Sequence, residues 1–216
     1  MLLKGKKACF LGDSITEGYG TSDISKRYAD VFKEISGVKD IFVDGISGTR
    51  IARQQNINPD LIIWDTNEFT KRADMLPDDA DIVVVFGGTN DYGHGDAPFG
   101  ENTDETEDTF CGALNVLFKK LIRKYPSSTI VFMTPLHRTD EQTRNKSNSL
   151  ILKDYVDKIK ELASYYSVPV LDMFAQSGMQ PCIDEQREVY FMDGVHPNDA
   201  GSRRIAEKLL GFLTAM

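Results

Sequence analysis

The sequence predicts an α/β fold, with a five-stranded parallel sheet covered by helices on both faces. Short apolar runs alternate from end to end with amphipathic stretches of helical period, and neither a repeat nor a linker interrupts them. Strands that alternate with helices pair in parallel, and strands covered on both faces are continuously apolar. Because 216 residues suffice for one large domain, we expect a single domain over residues 1–216.

Five segments are predicted as strands. The clearest is 81–88, "DIVVVFGG", which is rich in β-branched residues and ends in two glycines. The other four are 7–13 ("KACFLGD"), 40–48 ("DIFVDGISG"), 129–135 ("TIVFMTP") and 168–173 ("VPVLDM"). We expect the spatial order 2-1-3-4-5, common in flavodoxin-like sheets, which places the first strand between the second and the third.

Amphipathic periodicity predicts four helices between and after these strands. The first spans 22–37, begins with a cap at Ser22 or Asp23 and ends at Gly37. The remaining three are predicted over about 105–125, over about 147–167 and from Asn198 onward.

Two segments do not follow the alternation of strands and helices. Residues 49–65 have no clean period, and 93–108 ("GHGDAPFGENTDETED") form a polar, acidic stretch. Long loops in a compact domain are often functional, but a solvated surface excursion explains them equally well. The sequence leaves their role open.

Composition argues against several classes of partner. A net charge of −8 disfavours nucleic acid and anionic membranes, which attract basic surfaces. The three cysteines, Cys9, Cys111 and Cys182, lack metal-type spacing and fit free thiols in a reducing compartment. With no apolar stretch of about 18 residues and no visible leader, we expect a cytoplasmic protein. A leader removed upstream of this sequence is the alternative.

Candidate site residues follow the predicted strands, at the sheet edge where open α/β proteins bind ligands. Ser14 follows the first strand, Gly48 ends the second and Asn90 follows the third. Beyond the fifth strand, "FMDGVHPNDAG" brings Asp193 and His196. Since neighbouring strands lie about 4.8 Å apart, we expect Ser14 between Gly48 and Asn90.

This set has the parts that acyl transfer needs: a nucleophile, a base, a group that orients the base and donors for an oxyanion. Ser14 can attack, and His196 can take its proton because imidazole is largely neutral at pH 7. Asp193 can accept the other ring N–H of His196 and hold the productive tautomer. The backbone N–H groups of Ser14 and Gly48 and the Asn90 amide can converge on the developing oxyanion.

The same residues lie in four blocks that resemble those of the SGNH hydrolases, also called GDSL esterases and lipases. The blocks are "GDS", "ISGT", "GGTND" and "DGVHPN", which occur in the family's order and span nearly the whole chain. The resemblance implies a three-layer α/β/α, flavodoxin-like fold and metal-independent hydrolysis of a carboxylic ester through an acyl-serine, without a cofactor. It also implies a catalytic triad of Ser14, Asp193 and His196, with an oxyanion hole formed by Ser14, Gly48 and Asn90.

The substrate is predicted only by class. No apolar tract suggests a lipid groove, so we expect a small-molecule ester with a short acyl group, and acetyl on a carbohydrate is a candidate. Thioesters and lysophospholipids also fit the variety that the resemblance implies. His94, His137 and Arg138 are expected to line the substrate pocket or the surface, without an assigned role. The oligomeric state and the role of 93–108 are not predicted.

Two other functions are compatible with parts of the sequence. His94, His137 and His196 all fall at or beyond strand ends, and three imidazoles could bind a catalytic zinc ion. The stretch 14–22, "SITEGYGTS", is rich in hydroxyls and glycine and precedes a helix, which suits a phosphate or a flavin phosphate. Asp13 is interpreted as a turn former that bonds nearby backbone N–H groups.

Overall fold

One five-stranded parallel sheet organises the computed structural model, which describes residues 2–216. The strands are β1 (Lys7–Gly12), β2 (Asp40–Gly45), β3 (Ile82–Phe86), β4 (Thr129–Met133) and β5 (Val170–Leu171). Their order is β2-β1-β3-β4-β5 and every pair is parallel, which confirms the predicted fold class and topology. Gly12 pairs in register with Gly45 and with Phe86, so the first three strands end at one level.

Helices connect the strands and follow the last one. They are α1 (Ser14–Glu17), α2 (Tyr28–Ser36), α3 (Ile62–Asp65), α4 (Phe69–Arg72), α5 (Thr89–His94), α6 (Phe110–Lys124), α7 (Leu152–Tyr165), α8 (Met173–Gln176), α9 (Asp184–Tyr190) and α10 (Asp199–Ala215). Short 3-10 turns lie at Ile24–Lys26, Pro59–Leu61 and Ala73–Met75. Across residues 2–216, no helix combines the length and the apolar character needed to cross a membrane.

Strand side chains alternate between two hydrophobic cores, one on each face of the sheet. Cys9 and Leu11 belong to the core that α6 and α7 cover, whereas Ala8 and Phe10 belong to the core that α2 and α10 cover. The helices contribute apolar stripes, such as Leu114 and its neighbours on α6. The result is a three-layer α/β/α arrangement.

The two edge strands differ from the expectation that all five strands are buried on both faces. β2 has a neighbour on one side only, and its six residues are either exposed or half-buried, with Phe42 43% exposed. At the opposite edge β5 is reduced to two residues. Continuous apolar burial therefore holds for β1, β3 and β4, the central strands.

The first predicted helix begins later than its periodicity indicated. Asp23 caps only a 3-10 turn, and Arg27 has extended dihedral angles, so α2 begins at Tyr28. Ile24 is 64% exposed, hence its match to the apolar face of the helix was coincidental. At the other end Gly37, with φ of +74°, terminates α2 as predicted.

Two later helices are also shorter than predicted, whereas the last begins where expected. α6 starts at Phe110 because Thr109 caps it by accepting a first-turn N–H at 3.1 Å, and α7 starts at Leu152. Asn198 accepts two N–H groups of the first turn of α10 and so caps that helix as predicted.

The two segments outside the alternation are bonded to each other. Residues 49–65 contain a 3-10 turn and α3, and the start of 93–108 belongs to α5. The Asp96 carboxylate accepts the backbone N–H groups of Gln55 and Asn56, each at 2.8 Å. The acidic stretch therefore anchors the irregular segment beside the ends of the strands.

Candidate active site

Ser14 lies where β1 passes directly into α1. A Cβ on Gly12 would lie 1.9 Å from Thr16 Oγ1, so glycine is needed for the short helix to pack against the strand end. Asp13 caps α1 by accepting the Ile15 N–H at 3.0 Å, which confirms its interpretation as a turn former. Burial raises the pKa of Asp13 to about 7, against the opposing effect of this hydrogen bond.

His196 brings its imidazole to Ser14 from the other end of the chain. Its Nε2 lies 3.0 Å from Ser14 Oγ, and its Nδ1 lies 2.8 Å from Asp193 Oδ2. An ionised carboxylate only accepts hydrogen bonds, so Nδ1 carries a proton and Nε2 turns its lone pair to the hydroxyl. Asp193 Oδ1 also accepts the N–H groups of Val195 and His196, each at 2.7 Å. Burial works against charge on Asp193, but these bonds outweigh it and lower the pKa of the carboxyl below its usual value.

The loop that carries His196 is closed on itself. Phe191 and Pro197 form an antiparallel bridge, and the Met192 N–H donates to the His196 carbonyl at 2.9 Å. The ring of Tyr19 meets the imidazole edge-on, with ring centroids 4.6 Å apart. Backbone hydrogen bonds and an aromatic contact thus hold the imidazole in place.

Gly48 lies in the turn after β2 with a left-handed φ of +73°. A Cβ there would lie 2.3 Å from Cδ2 of Trp64, whose indole covers the turn. Arg72 is fully buried and fixes the same turn, because its Nη2 donates to the Gly12 carbonyl at 2.8 Å and to Thr49 Oγ1 at 2.9 Å. One guanidinium therefore ties the end of β1 to the turn after β2.

Asn90 lies in the first turn of α5 and directs its amide toward the turn after β2. Its Nδ2 donates to the Thr49 carbonyl at 3.1 Å. The neighbouring Asp91 is buried, and its carboxylate accepts the backbone N–H groups of Ile51 and Ala52 at 3.0 Å. The loops after β2 and β3 are consequently fixed to each other.

A pocket of 290 Å³ opens between these loops. The predicted site residues that line it are Ser14, Gly48, Asn90, Asp193 and His196. Two aromatic side chains, Tyr19 and Trp64, also contribute to its wall. The hydroxyl, the imidazole and the candidate amide donors therefore share one opening at the carboxyl ends of the strands, where α/β sheets bind ligands.

The sequence model of the GDSL-like lipase/acylhydrolase family matches residues 10–204. The chain belongs to this family. It is accordingly a carboxylic ester hydrolase.

Solved structures share the fold of this GDSL-family chain over nearly its full length. A protein from Lactobacillus plantarum is 32% identical, with 98% of each chain covered and a TM-score of 0.84. The aryl esterase of M. smegmatis is 18% identical, with 97% of this chain and 99% of that chain covered and a TM-score of 0.69. A member of the lipolytic protein G-D-S-L family from Veillonella parvula is 16% identical, with the same coverage and a TM-score of 0.64, and at such identity the likeness shows the fold alone. No curated protein matches the chain.

In this GDSL-family chain the three histidines bond to different partners. His94 lies in the pocket wall, His137 pairs its Nδ1 with Glu141 Oε2 at 2.7 Å, and His196 pairs with Asp193. Within residues 2–216, no cluster of three or more His, Cys, Asp or Glu side chains has an arrangement that could hold a metal ion. The zinc alternative, which requires His94, His137 and His196 together, is therefore not supported.

The stretch 14–22 does not form a phosphate cradle. α1 has only four residues, and the Asp13 carboxyl already accepts the N–H at its start. The Thr21 hydroxyl donates to the Gly18 carbonyl at 2.6 Å. The Ile15 N–H and the Thr21 hydroxyl are thus engaged within the protein, which does not favour a phosphate or a flavin phosphate at this stretch.

Several residues that shape the site were not predicted. Trp64 is the chain's one tryptophan, and the missing period of 49–65 was the only signal of its segment. Arg72 gave no signal because arginine is seldom fully buried. Arg138, left open by the sequence, lines the pocket, but its guanidinium donates to Asp140 and to Thr89.

Proposed function

We propose that the protein is a serine esterase that hydrolyses small carboxylic esters through an acyl-serine intermediate. The observation that carries the proposal is one hydrogen-bonded row, in which Ser14 Oγ lies 3.0 Å from His196 Nε2 and His196 Nδ1 lies 2.8 Å from Asp193 Oδ2. Ser14 is the nucleophile, His196 the general base and Asp193 the group that orients the base.

Acylation begins when the substrate carbonyl carbon meets Ser14 Oγ. His196 Nε2 takes the hydroxyl proton as the new C–O bond forms, and Asp193 stabilises the resulting imidazolium through Nδ1–H. The imidazolium then gives its proton to the leaving alcohol, and the acyl group stays on Ser14. Water activated by the same imidazole hydrolyses this acyl-serine and restores the hydroxyl.

Three donors stabilise the oxyanion in this proposal: the Ser14 N–H, the Gly48 N–H and the Asn90 amide. The N–H of Ser14 has no acceptor within α1, because Ser14 is the first residue of that helix. Gly48 has no Cβ to keep substrate away from its backbone, and only one Nδ2 hydrogen of Asn90 can be directed at Thr49. Each donor of this kind lowers the barrier by about 3–4 kcal/mol.

The pocket supports a substrate with a short acyl group. Its 290 Å³ lies at the lower limit of small-molecule pockets, which span roughly 300–1,000 Å³. Tyr19 and Trp64 are both partly exposed beside it, and their ring faces suit the apolar face of a sugar ring. Acetyl on a carbohydrate is therefore the substrate that we propose.

Three broader features remain predictions from the sequence: a single domain over residues 1–216, a reducing cytoplasmic location and the lack of a nucleic-acid partner. The net charge of −8 supports the last of these. All five strands belong to one sheet, which supports the first.

Hydrolysis of p-nitrophenyl acetate tests the proposal. Ser14→Ala should lower kcat at least about a thousandfold, whereas Ser127→Ala, at an exposed serine before β4, should retain wild-type kcat. EDTA should change neither rate. Activity that survives Ser14→Ala would refute the nucleophile assignment.

The acyl preference is tested with the acetate, butyrate and octanoate esters and with an acetylated monosaccharide. We expect kcat/KM to fall from acetate to octanoate and the acetylated sugar to release acetate. A preference for octanoate would contradict the short-acyl proposal without affecting the serine mechanism.

A further inference from the structure

A chain of hydrogen-bonded polar side chains leads from α3 to the pocket through His94, which is exposed at the pocket wall. The mechanism above does not use its outer members. Asp65 Oδ1 accepts from Arg50 Nη1 at 2.6 Å, and Arg50 Nη2 lies 2.6 Å from His94 Nδ1. His94 Nε2 lies 3.1 Å from Asn90 Oδ1. Asp65 and Arg50 are buried, and the chain ends on an amide that faces the substrate pocket.

The chemistry of the guanidinium fixes the proton on His94. Arginine has donors and no acceptor, so Nδ1 of His94 must accept and cannot carry a hydrogen. The single proton of the neutral ring is then on Nε2, from which it donates to Asn90 Oδ1. Burial, Arg50 and Arg138 together lower the pKa of His94 to about 4, although Asp65 acts in the opposite direction. The ring is therefore neutral at ordinary pH.

The same logic fixes the Asn90 amide. With Oδ1 accepting from His94, Nδ2 is on the opposite side of the amide, where it donates to the Thr49 carbonyl at 3.1 Å. A flipped amide would set its NH2 group against the His94 N–H and its oxygen against the Thr49 carbonyl. It would also present an acceptor to the oxyanion.

We propose that His94 is a positioning residue, which acts through Asn90 by holding the amide with Nδ2 toward the oxyanion. The inference rests on the proposed function, since it gives Asn90 a task only if an oxyanion forms there. Arg50 and Asp65 support His94 from behind. Trp64, next to Asp65 on α3, stacks at a tilt near the same imidazole, with centroids 6.1 Å apart.

Two amide substitutions separate the two ring nitrogens of His94. In His94→Gln the side-chain nitrogen reaches the position of Nε2 and can still donate to Asn90. In His94→Asn the shorter side chain reaches only the position of Nδ1, so it can still accept from Arg50 but no longer meets Asn90. In both variants the buried guanidinium keeps the Asp65 carboxylate and the backbone carbonyl of residue 94 as acceptors, which limits the structural damage.

The assay is hydrolysis of p-nitrophenyl acetate, with kcat and KM determined separately. We expect His94→Asn to lower kcat about 10- to 100-fold with KM within about twofold of wild type, less than the roughly 100- to 1,000-fold loss of a whole oxyanion donor. His94→Gln should keep kcat within about threefold. His137→Asn and His137→Gln are matched controls at a histidine outside the pocket, and both should keep wild-type kcat.

Ser14→Ala, measured in parallel, separates this inference from the proposed function. Wild-type kcat in His94→Asn together with an inactive Ser14→Ala overturns the positioning role and leaves the serine mechanism intact. Equal losses in His94→Asn and His94→Gln, accompanied by equal drops in Tm, also overturn it, because they indicate a purely structural histidine. Activity in Ser14→Ala removes the serine mechanism, and the role of His94 falls with it.

Discussion

Gly48→Ala is the substitution whose consequences the geometry defines most closely. The new Cβ would lie 2.3 Å from Trp64 Cδ2 and 2.6 Å from Cγ and Cε3 of the same indole. The left-handed φ of +73° adds a backbone penalty of about 1–2 kcal/mol for any residue with a Cβ. Overpacking against the indole adds about 1–3 kcal/mol, so we expect a total loss of about 2–5 kcal/mol in the free energy of unfolding.

Gly37→Ala provides the matched control for the backbone penalty. Gly37 has nearly the same φ, +74°, but a Cβ there has no heavy atom within 4 Å. Its substitution should therefore lower the free energy of unfolding by the backbone penalty alone. The difference between the two variants in urea unfolding isolates the overlap with Trp64.

Intrinsic fluorescence shows which partner moves, because Trp64 is the chain's single tryptophan and is 38% exposed. If the indole swings outward in Gly48→Ala, its emission shifts to the red and kcat is largely kept. If the turn moves instead, the emission wavelength stays unchanged and kcat falls, since the Gly48 N–H would leave its place in the proposed oxyanion hole. A variant with the stability of Gly37→Ala, wild-type emission and wild-type kcat would refute the reasoning.

Three further predictions follow from the buried and aromatic groups around the site. Burial raises the pKa of Asp13 from 3.8 to about 7, so the folded protein binds a proton that the unfolded chain lacks between these values, and stability falls as the pH rises through this window. In Asp13→Asn the side chain at this position does not titrate. Urea unfolding should show the free energy of unfolding of this variant, relative to wild type, rising by up to about 4 kcal/mol between pH 4 and pH 8. A difference that stays constant with pH would contradict this. Arg72→Met leaves the Asp44 carboxylate, the Gly12 carbonyl and the Thr49 hydroxyl without their donor, so it should destabilise the protein by about 3–5 kcal/mol in urea unfolding. A loss below about 1 kcal/mol would show that the guanidinium does not tie the end of β1 to the turn after β2. Tyr19→Ala removes the ring against His196 and should lower kcat about 2- to 10-fold, whereas Tyr19→Phe should not; an equal loss in both would assign the effect to the hydroxyl.

The central strands and their order were predictable because the apolar composition of these segments and the rules for parallel sheets indicate the same arrangement. "IVVVF" is apolar throughout, since β3 is covered on both faces, and a short strand followed by a helix leaves few arrangements for a parallel sheet. The edge strand β2 was less predictable. Its exposed Phe42 has the same sequence signature as a core residue.

For the site, the sequence indicated the candidate catalytic residues but not the side chains that position them. Ser14, Gly48, Asn90, Asp193 and His196 each follow a strand and do line one pocket, while their roles stay proposals. The side chains that position the candidate site were not predicted, because their hydrogen-bond partners are distant along the chain. Arg72 bonds to the Gly12 carbonyl 60 positions away, and no local pattern records such a contact.

The hydrogen-bonded pair Ser14 and His196 comes from opposite ends of the polypeptide, with the two residues separated by 182 positions. If the proposed mechanism holds, a nascent chain exposes its nucleophile early and acquires its base only after the sheet has been synthesised. Bonds from Ser22 to the Asp199 carboxylate, at 2.8 and 2.6 Å, then fasten the late segment to the early one. The growing polypeptide should remain hydrolytically silent on the ribosome, and the appearance of turnover would mark the moment at which the last helix docks.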